Sequence, residues 1–383
     1  MRVLIIGGTG ILSSAVVDEC LNQGIDVTMI NRGNRPIFIN EKAELIKSDI
    51  FDVEGLKKKL QGRHFDAVID FLVLSKPDAV RSFNTFGEVS DQYVFISSAQ
   101  VYNTSYSGVL TETAESPHPQ WAYSVNKGIC ERYVAEKCKE LGVNYTIIRP
   151  GVNYGNTRIP YGVFPRIGQH WTFVARILSG KPILTWNKGE NRLNLTRVED
   201  FATGVVGLLG NSMAYNESFN VIGDYVYSWK EVLNTLGNLI GKEVKTLDIP
   251  LAFYCMELNG MKREELLAGR ANDLVCSNEK LKSVVPDFRT RYQLEEGLAM
   301  TLDFYKSNNY YQGFDYKWDA ECDRIINHYF RHLKREESSY SYICYNAEDT
   351  SSLKTTQRIY YDKYFQYSKS RKFLYQLNAI IKG

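Results

Sequence analysis

Two residues one helical turn apart, Tyr123 and Lys127 in Tyr-Ser-Val-Asn-Lys, have the types and spacing to do chemistry together. At i and i+4 both side chains leave the same face of a helix. A phenol with an ordinary pKa of about 10 is a poor base at neutral pH. A lysine ammonium one turn away, joined by a positively charged nicotinamide ring, favours the phenolate and lowers that value. Lysine also has the reach to hydrogen-bond a nicotinamide ribose. Ser98, in Ser97-Ser-Ala-Gln-Val-Tyr102, ends a predicted strand and can hydrogen-bond a substrate hydroxyl or a developing alkoxide. With 26 tyrosines in the chain, a Tyr-x-x-x-Lys pair alone is a weak signal. Its weight comes from what precedes it.

That is the N-terminal stretch Gly7-Gly-Thr-Gly10-Ile-Leu-Ser13. It lies between an apolar run, Val3 to Ile6, and a segment from Ile11 to Leu21 with helical spacing. Strand, glycine turn and helix form a cradle for a pyrophosphate, because glycine removes the Cβ and the helix N-terminus faces its N–H groups to the anion. Gly7, Thr9, Gly10, Ile11 and Leu12 are the candidate contacts. Ser13 holds the third small position, where helix packs closely on strand. A second strand, Asp26 to Ile30, ends in Asn31-Arg32-Gly33, without the acidic residue that grips the 2′-hydroxyl of NAD. Arg32 or Arg35 can meet the 2′-phosphate of NADP, or be solvated in a turn. The cofactor expected is NAD or NADP, with NADP slightly favoured. Asp49, followed by Ile50 after a third strand at Ala43 to Ile46, is placed for an adenine edge or for capping the next helix.

The elements that must position these residues alternate. Helical segments at Val53–Leu60, Asp78–Phe86 and Trp121–Leu141 separate strands at Asp66–Phe71, Gln92–Ser97 and Tyr145–Arg149. This pattern predicts an α/β fold, a Rossmann-type doubly wound parallel sheet with ligands beyond the strands' carboxyl ends. The chain has 383 residues, 44% of them hydrophobic, and a net charge of +2. That balance gives no reason to expect a nucleic acid or a membrane surface as partner. Seven cysteines are scattered, with no Cys-x-x-Cys pair, and read as free thiols in a reducing compartment. No metal is called for. The chain opens on a buried strand, leaving no room for a signal peptide, and no apolar run is long enough to span a bilayer. The expected location is the cytoplasm.

Taken together, the sequence resembles an extended short-chain dehydrogenase/reductase of the NAD-dependent epimerase/dehydratase family, which acts mostly on nucleotide sugars. The likeness is carried by Gly7-Gly-Thr-Gly10, Asp49-Ile50, Ser97-Ser-Ala-Gln-Val-Tyr102, Tyr123 with Lys127, Arg149-Pro150 with Tyr154-Gly155, and Val198-Glu-Asp200. It implies Ser98, Tyr123 and Lys127 as the catalytic triad. It adds Phe71, Ser97 and Pro150 to the dinucleotide contacts, and Gln100, Asn153 and Tyr154 to the substrate side. Arg192 or Arg197 would bind nucleotide phosphate, since the arginine usual in that region is here Leu193. The implied activity is an NAD(P)-dependent epimerase or ketoreductase. The Asp-Glu pair of sugar 4,6-dehydratases is replaced by Ala99-Gln100, which argues against that reaction. Asp70-Phe71 stands where many relatives carry small alanines. The alternatives are a nucleotide- or RNA-binding protein on the same fold, and a reductase of a small carbonyl compound.

Residues 1–155 are thus expected to form the NAD(P)-binding domain, with 190–225 returning to it, and 156–305 a smaller substrate lobe. Gly, Pro and aromatic residues at 151–190 suit a pocket mouth or, ring by ring, ordinary lobe packing. His170 reads as structural. Residues 306–383 form a Tyr-rich, helical extension outside the likeness, with helices at Asp319–Leu333 and Ile359–Ile381 around a polar loop. It is read as docked on the main body or on a second subunit, which allows a homodimer, rather than as a surface for an anionic partner.

Overall fold

Strands buried on both faces need helices on both sides, and the first part of the chain supplies them in alternation. The structure, a computed structural model, describes residues 1–105, 108–258, 260–310 and 313–333. The elements run β1 (Arg2–Ile6), α1 (Ile11–Asn22), β2 (Asp26–Asn31), β3 (Glu44–Lys47), α2 (Val53–Leu60), β4 (Phe65–Asp70), α3 (Lys76–Phe86), β5 (Ser90–Ile96), α4 (Ala122–Leu141) and β6 (Asn144–Pro150). They are followed by β7 (Val152–Tyr154), α5 (Trp171–Leu178), β8 (Ile183–Thr185), β9 (Arg192–Arg197), α6 (Val198–Gly207) and β10 (Glu217–Val221). One parallel sheet of seven strands results, in the order β10-β6-β5-β4-β1-β2-β3. Strand order reverses at β1, whose Ile6 lies between Ile30 of β2 and Asp70 of β4. This is the switch point where a cleft opens beyond the carboxyl ends.

The two faces of β1 divide the core by simple alternation. Val3 and Ile5 pack with Val16 and Val17 of α1 and Phe201 and Val205 of α6. Leu4 and Ile6 pack with Leu56 of α2, Phe83 of α3 and Val134 of α4. Helix α4 stops at Gly142, whose φ of 69° is a left-handed cap that glycine adopts without a Cβ penalty.

The described residues continue with β11 (Val226–Ser228), α7 (Trp229–Ile240), β12 (Thr246–Asp248), α8 (Leu251–Glu257), α9 (Gly260–Glu265), α10 (Glu279–Val284), α11 (Leu294–Ser307) and α12 (Tyr316–His332), most of them around a second hydrophobic core, the lobe core, while Leu281 of α10 packs in the core of α1 and α6. Strand β9 does not join the main sheet. It pairs with β7 and β11 in a three-stranded sheet, while α6 and β10 pack with the first domain. Most rings of 151–190 fill the lobe core: Tyr154, Tyr161, Phe173 and Trp186 are buried with Trp229, Tyr305 and Trp318. Ser228 caps α7 by accepting from Glu231, whose carboxylate reaches back to the Ser228 N–H at 2.7 Å.

Helix α12 docks on the lobe through Trp318, Cys322, Ile325 and Ile326 and through a buried tetrad. Arg176 meets Asp319 at 2.6 Å and Asp323 at 2.7 Å, and Lys181 meets the same two at 2.9 and 2.6 Å. Two cations against two carboxylates leave the cluster neutral, which is what burial of charge requires. The helix expected at Ile359–Ile381, and the loop before it, lie outside the described residues. The six described cysteines are free and buried. Among the described residues no helix is long and apolar enough to cross a membrane.

Candidate active site

The glycine turn between β1 and α1 needs its glycines for geometry. Gly7 has φ +113° and Gly8 φ +68°, and a Cβ on Gly8 would stand 2.8 Å from the Met29 sulfur. Above the turn lies a cleft of about 520 Å³ lined by Gly7, Thr9, Gly10, Ile11, Leu12, Asn31, Arg32, Asp49, Ile50 and Phe71, ten of the cofactor residues named from sequence. Arg35, Phe51 and Leu72 are among its other lining residues. Ser13 does more than pack closely: its hydroxyl accepts the Gly10 N–H at 2.8 Å and so closes the turn. Asn31 accepts the Gly33 N–H at 2.8 Å, while its buried amide nitrogen has no hydrogen-bond partner. A buried donor facing such a cleft asks for an acceptor. The glycine cradle, this donor and the neighbouring Arg32 and Arg35 fit a dinucleotide. Asp70 faces the other way, accepting from Leu72, Ser82 and Tyr93, and burial raises its pKa. The wall of the cleft is therefore Phe71 and Leu72.

Ser98, Tyr123 and Lys127 are brought to one place by the end of β5 and the first turn of α4. The Ser98 hydroxyl oxygen accepts the Gln100 N–H at 3.1 Å and caps the turn that follows β5. Burial pushes the Tyr123 phenol above its ordinary value, and the nearby Ser98 hydroxyl, Arg270 and Arg158 oppose it. Tyr123 as a whole is 36% exposed. Lys127, expected to lower this pKa, is occupied elsewhere. Its ammonium donates to the carbonyls of Val73 at 2.7 Å and Ile96 at 2.9 Å, and burial brings its pKa down to about 8. One of its three N–H groups stays available for a ribose.

The arginines acting on Tyr123 escaped the sequence reading. Arg270 ends a π-helical turn, Leu266–Arg270, that is held against the site at several points. The Ala122 N–H donates to Glu264 at 3.2 Å, Thr104 donates to the Ala268 carbonyl at 2.7 Å, and the indoles of Trp186 and Trp229 donate to the Arg270 carbonyl. A Cβ on Gly269 would lie 2.6 Å from the Gln100 side-chain oxygen and 2.9 Å from the Trp121 ring, which itself sits 5.5 Å from the Tyr123 ring. No motif announces this turn, since its register depends on packing against a segment about 170 residues away. A π-turn beside reactive groups is a common functional device.

The remaining expected residues divide. Gln100 is buried beneath Gly269, its side-chain oxygen without a hydrogen-bond partner. Asn153 donates to the Gly151 carbonyl at 3.1 Å and keeps a buried unpartnered oxygen. Tyr154 is a correction: it is 1% exposed and packs on Gly297 of α11. Arg197 is another. Fully enclosed, it donates to the Gly297 carbonyl at 2.7 Å and Asn156 at 2.9 Å and pairs with Glu199, tying β9 to α11. Arg192 is exposed and faces Asp273 at 3.5 Å. Ser97 donates to Glu131 at 2.6 Å, and that carboxylate also takes two bonds from Arg149, so Ser97 braces β5 and β6 against α4. Pro150 ends β6, buried, and does not line the cleft. His170 is structural, as expected. Its Nδ1 accepts the Ile159 N–H at 3.1 Å, and burial lowers its pKa to about 3.

The comparisons with known proteins agree with this architecture. The Arabidopsis thaliana chloroplast stem-loop binding protein of 41 kDa b is 27% identical over 79% of this chain and 79% of its own length. The UDP-glucose 4-epimerase of Lactobacillus helveticus is 26% identical over 80% of this chain and 98% of its own. The crystal structure of Thermotoga maritima UDP-glucose 4-epimerase with UDP-glucose superposes with a TM-score of 0.62 at 19% identity, covering 81% of this chain and all of that one. The sequence profile of the NAD dependent epimerase/dehydratase family matches residues 3–221, and the chain belongs to that family.

Proposed function

We propose that the protein is an NAD(P)-dependent epimerase or ketoreductase acting on a nucleotide sugar, with Ser98, Tyr123 and Lys127 as its reacting and positioning groups. The observation that carries this reading is the Lys127 ammonium on the Val73 and Ile96 carbonyls, which holds the helix bearing Tyr123 against the end of β5, just before Ser98. Gly7, Thr9, Gly10, Ile11, Asn31 and Asp49 would hold the dinucleotide, and Arg32 or Arg35 a 2′-phosphate. Bound there, a nicotinamide supplies the acceptor and donor of hydride. Tyr123 removes the proton of the substrate hydroxyl and returns it when the carbonyl is reduced. Ser98 donates to the same oxygen as charge develops on it. Lys127 keeps a positive charge behind the site and offers its remaining N–H to the ribose. Relatives of the matched families include enzymes named UDP-glucose 4-epimerase and dTDP-glucose 4,6-dehydratase. Dehydration is disfavoured here, because Ala99 and Gln100 bring no carboxylate beside Ser98.

Mass spectrometry of small molecules released on denaturing the purified protein tests this reading. Retained NAD or NADP identifies the cofactor and favours an epimerase, which restores its cofactor in each cycle. A co-released nucleotide sugar names the substrate. An empty protein that also fails to bind either dinucleotide contradicts the proposal.

A second reading, RNA binding, is favoured by one finding: the relative from Arabidopsis thaliana carries the name stem-loop binding protein. Salt-sensitive binding of a stem-loop RNA, with no dinucleotide bound, would support it instead.

A further inference from the structure

On the face of the main sheet covered by α3 and α4, two opposite charges are buried in one layer. Asp70, the last residue of β4, is 2% exposed, and so is Lys127 of α4. The register of β4 with β5 sets Asp70 beside Phe95, and the Lys127 ammonium stands 4.9 Å from the centre of the Phe95 ring. The same ammonium donates at 2.7 Å to the carbonyl of Val73, which follows Asp70 closely in the chain. The carboxylate is held from three sides. The Leu72 N–H donates to one oxygen at 2.7 Å, and the hydroxyls of Ser82 on α3 and Tyr93 on β5 (3.0 Å) donate to the other. Donors on a group that can only accept favour its ionised form.

The other titratable groups facing Lys127 are answered or uncharged. Glu131, one turn along α4, takes two bonds from Arg149. Asp78 of α3 pairs with Arg81 at 2.8 Å. Burial pushes the Cys130 thiol up to about 11, and it pushes the Tyr93 phenol beside Asp70 well above its ordinary value, so both are neutral at physiological pH. Among the described residues Asp70 bonds no cation, and it is the carboxylate left to balance Lys127.

We propose that Asp70 is a positioning residue for the cofactor: its buried carboxylate keeps Lys127 protonated, and only a protonated Lys127 has an N–H to spare for the nicotinamide ribose. This rests on the reading of Lys127 as the group that holds the ribose. An ammonium has three N–H groups, and two of them go to the Val73 and Ile96 carbonyls. A neutral amine has two, and the carbonyls use both. Losing one proton therefore removes the ribose contact while the side chain stays in place. Burial works toward that loss, bringing the Lys127 pKa down to about 8, and the opposite charge of Asp70 works against it. Asp70 faces away from the cleft and acts on the cofactor through Lys127.

The test is calorimetric binding of NAD and of NADP to the full chain between pH 6 and pH 9.5, for wild type, Asp70→Asn and Lys127→Met. Wild-type affinity should fall as pH rises through a midpoint near 8, where Lys127 gives up its proton. In D70N the midpoint should lie about one pH unit lower, and at pH 6 the affinity should return to within about twofold of wild type. Lys127→Met should bind weakly at every pH and show no midpoint. Recovery at low pH is a result that a merely structural aspartate would not give. If D70N does not fold, Tyr93→Phe, which takes one donor from the carboxylate, should move the midpoint in the same direction by less. The proposal is overturned if wild-type affinity does not fall through this range, if the midpoint of the folded variant stays within about 0.3 pH units of wild type, or if D70N is weaker by the same factor at every pH. A wild type that binds neither dinucleotide overturns this proposal together with the reading of the cleft. A wild type that binds, with a midpoint unmoved in D70N, overturns this proposal alone.

Discussion

Lys127, one turn from Tyr123 on α4, gives its ammonium to the carbonyls of Val73 and Ile96 at 2.7 and 2.9 Å, the latter two residues before Ser98. The lysine thereby joins α4 to the end of β5 and to the segment after β4. In the proposed mechanism it fixes the Ser98 and Tyr123 hydroxyls relative to the cleft before any ligand arrives, which is the condition for preorganised catalysis.

Burial lowers the Lys127 pKa from its ordinary 10.5 to about 8. Between those two values the unfolded chain holds a proton that the folded chain has released, so stability should rise as pH climbs through that window. Denaturant titrations from pH 7 to 10 should show this rise, and Lys127→Met should flatten it.

The Tyr123 phenol is raised by burial and pulled back by Arg270 and Arg158. If the phenolate is the proton acceptor, kcat/KM should increase with pH along an alkaline limb. Arg270→Gln removes one of the opposing charges and should move that limb to higher pH, measured as a full pH profile.

Gly269 holds the π-turn against Gln100 and Trp121 with no room for a methyl group. Gly269→Ala should cost about 1–3 kcal/mol of stability through overpacking. It should also raise KM more than the distant control Gly62→Ala, which strains a backbone at φ +73° but brings the added carbon within 4 Å of nothing. Steady-state kinetics on both variants separate the two effects.

Asp323 answers Arg176 and Lys181 inside the lobe. Asp323→Ala leaves two buried cations facing one carboxylate and should destabilise the fold by about 3–5 kcal/mol. Urea unfolding with an unchanged m-value would show that α12 belongs to the cooperative unit.

What sequence could reveal here was local. The apolar run of β1, the glycines with positive φ and the i, i+4 pair on α4 each depend on neighbours a few residues away, and their spacing carries that information. The reading of α12 from Asp319 onward likewise followed apolar periodicity and fell three residues short of its start at Tyr316. Arg197 and Arg192 show where such reading stops. Both are arginines near the expected phosphate position, yet one is enclosed by α11 and the other faces outward, a choice made by strand β9 pairing with β7 and β11. Arg158 and Arg270 went unnoticed for the same reason. Arg270 nears α4 only after the 264–270 turn has folded onto it, and Arg158 comes from a separate turn after β7.

The central claim is that the Tyr123 hydroxyl transfers the proton during hydride exchange. The most direct measurement is turnover of the released nucleotide sugar by Tyr123→Phe beside the wild type, with cofactor and substrate binding measured on the same samples. The account predicts binding within about twofold and turnover lower by about 10²–10⁴. Unchanged turnover in Tyr123→Phe would contradict it.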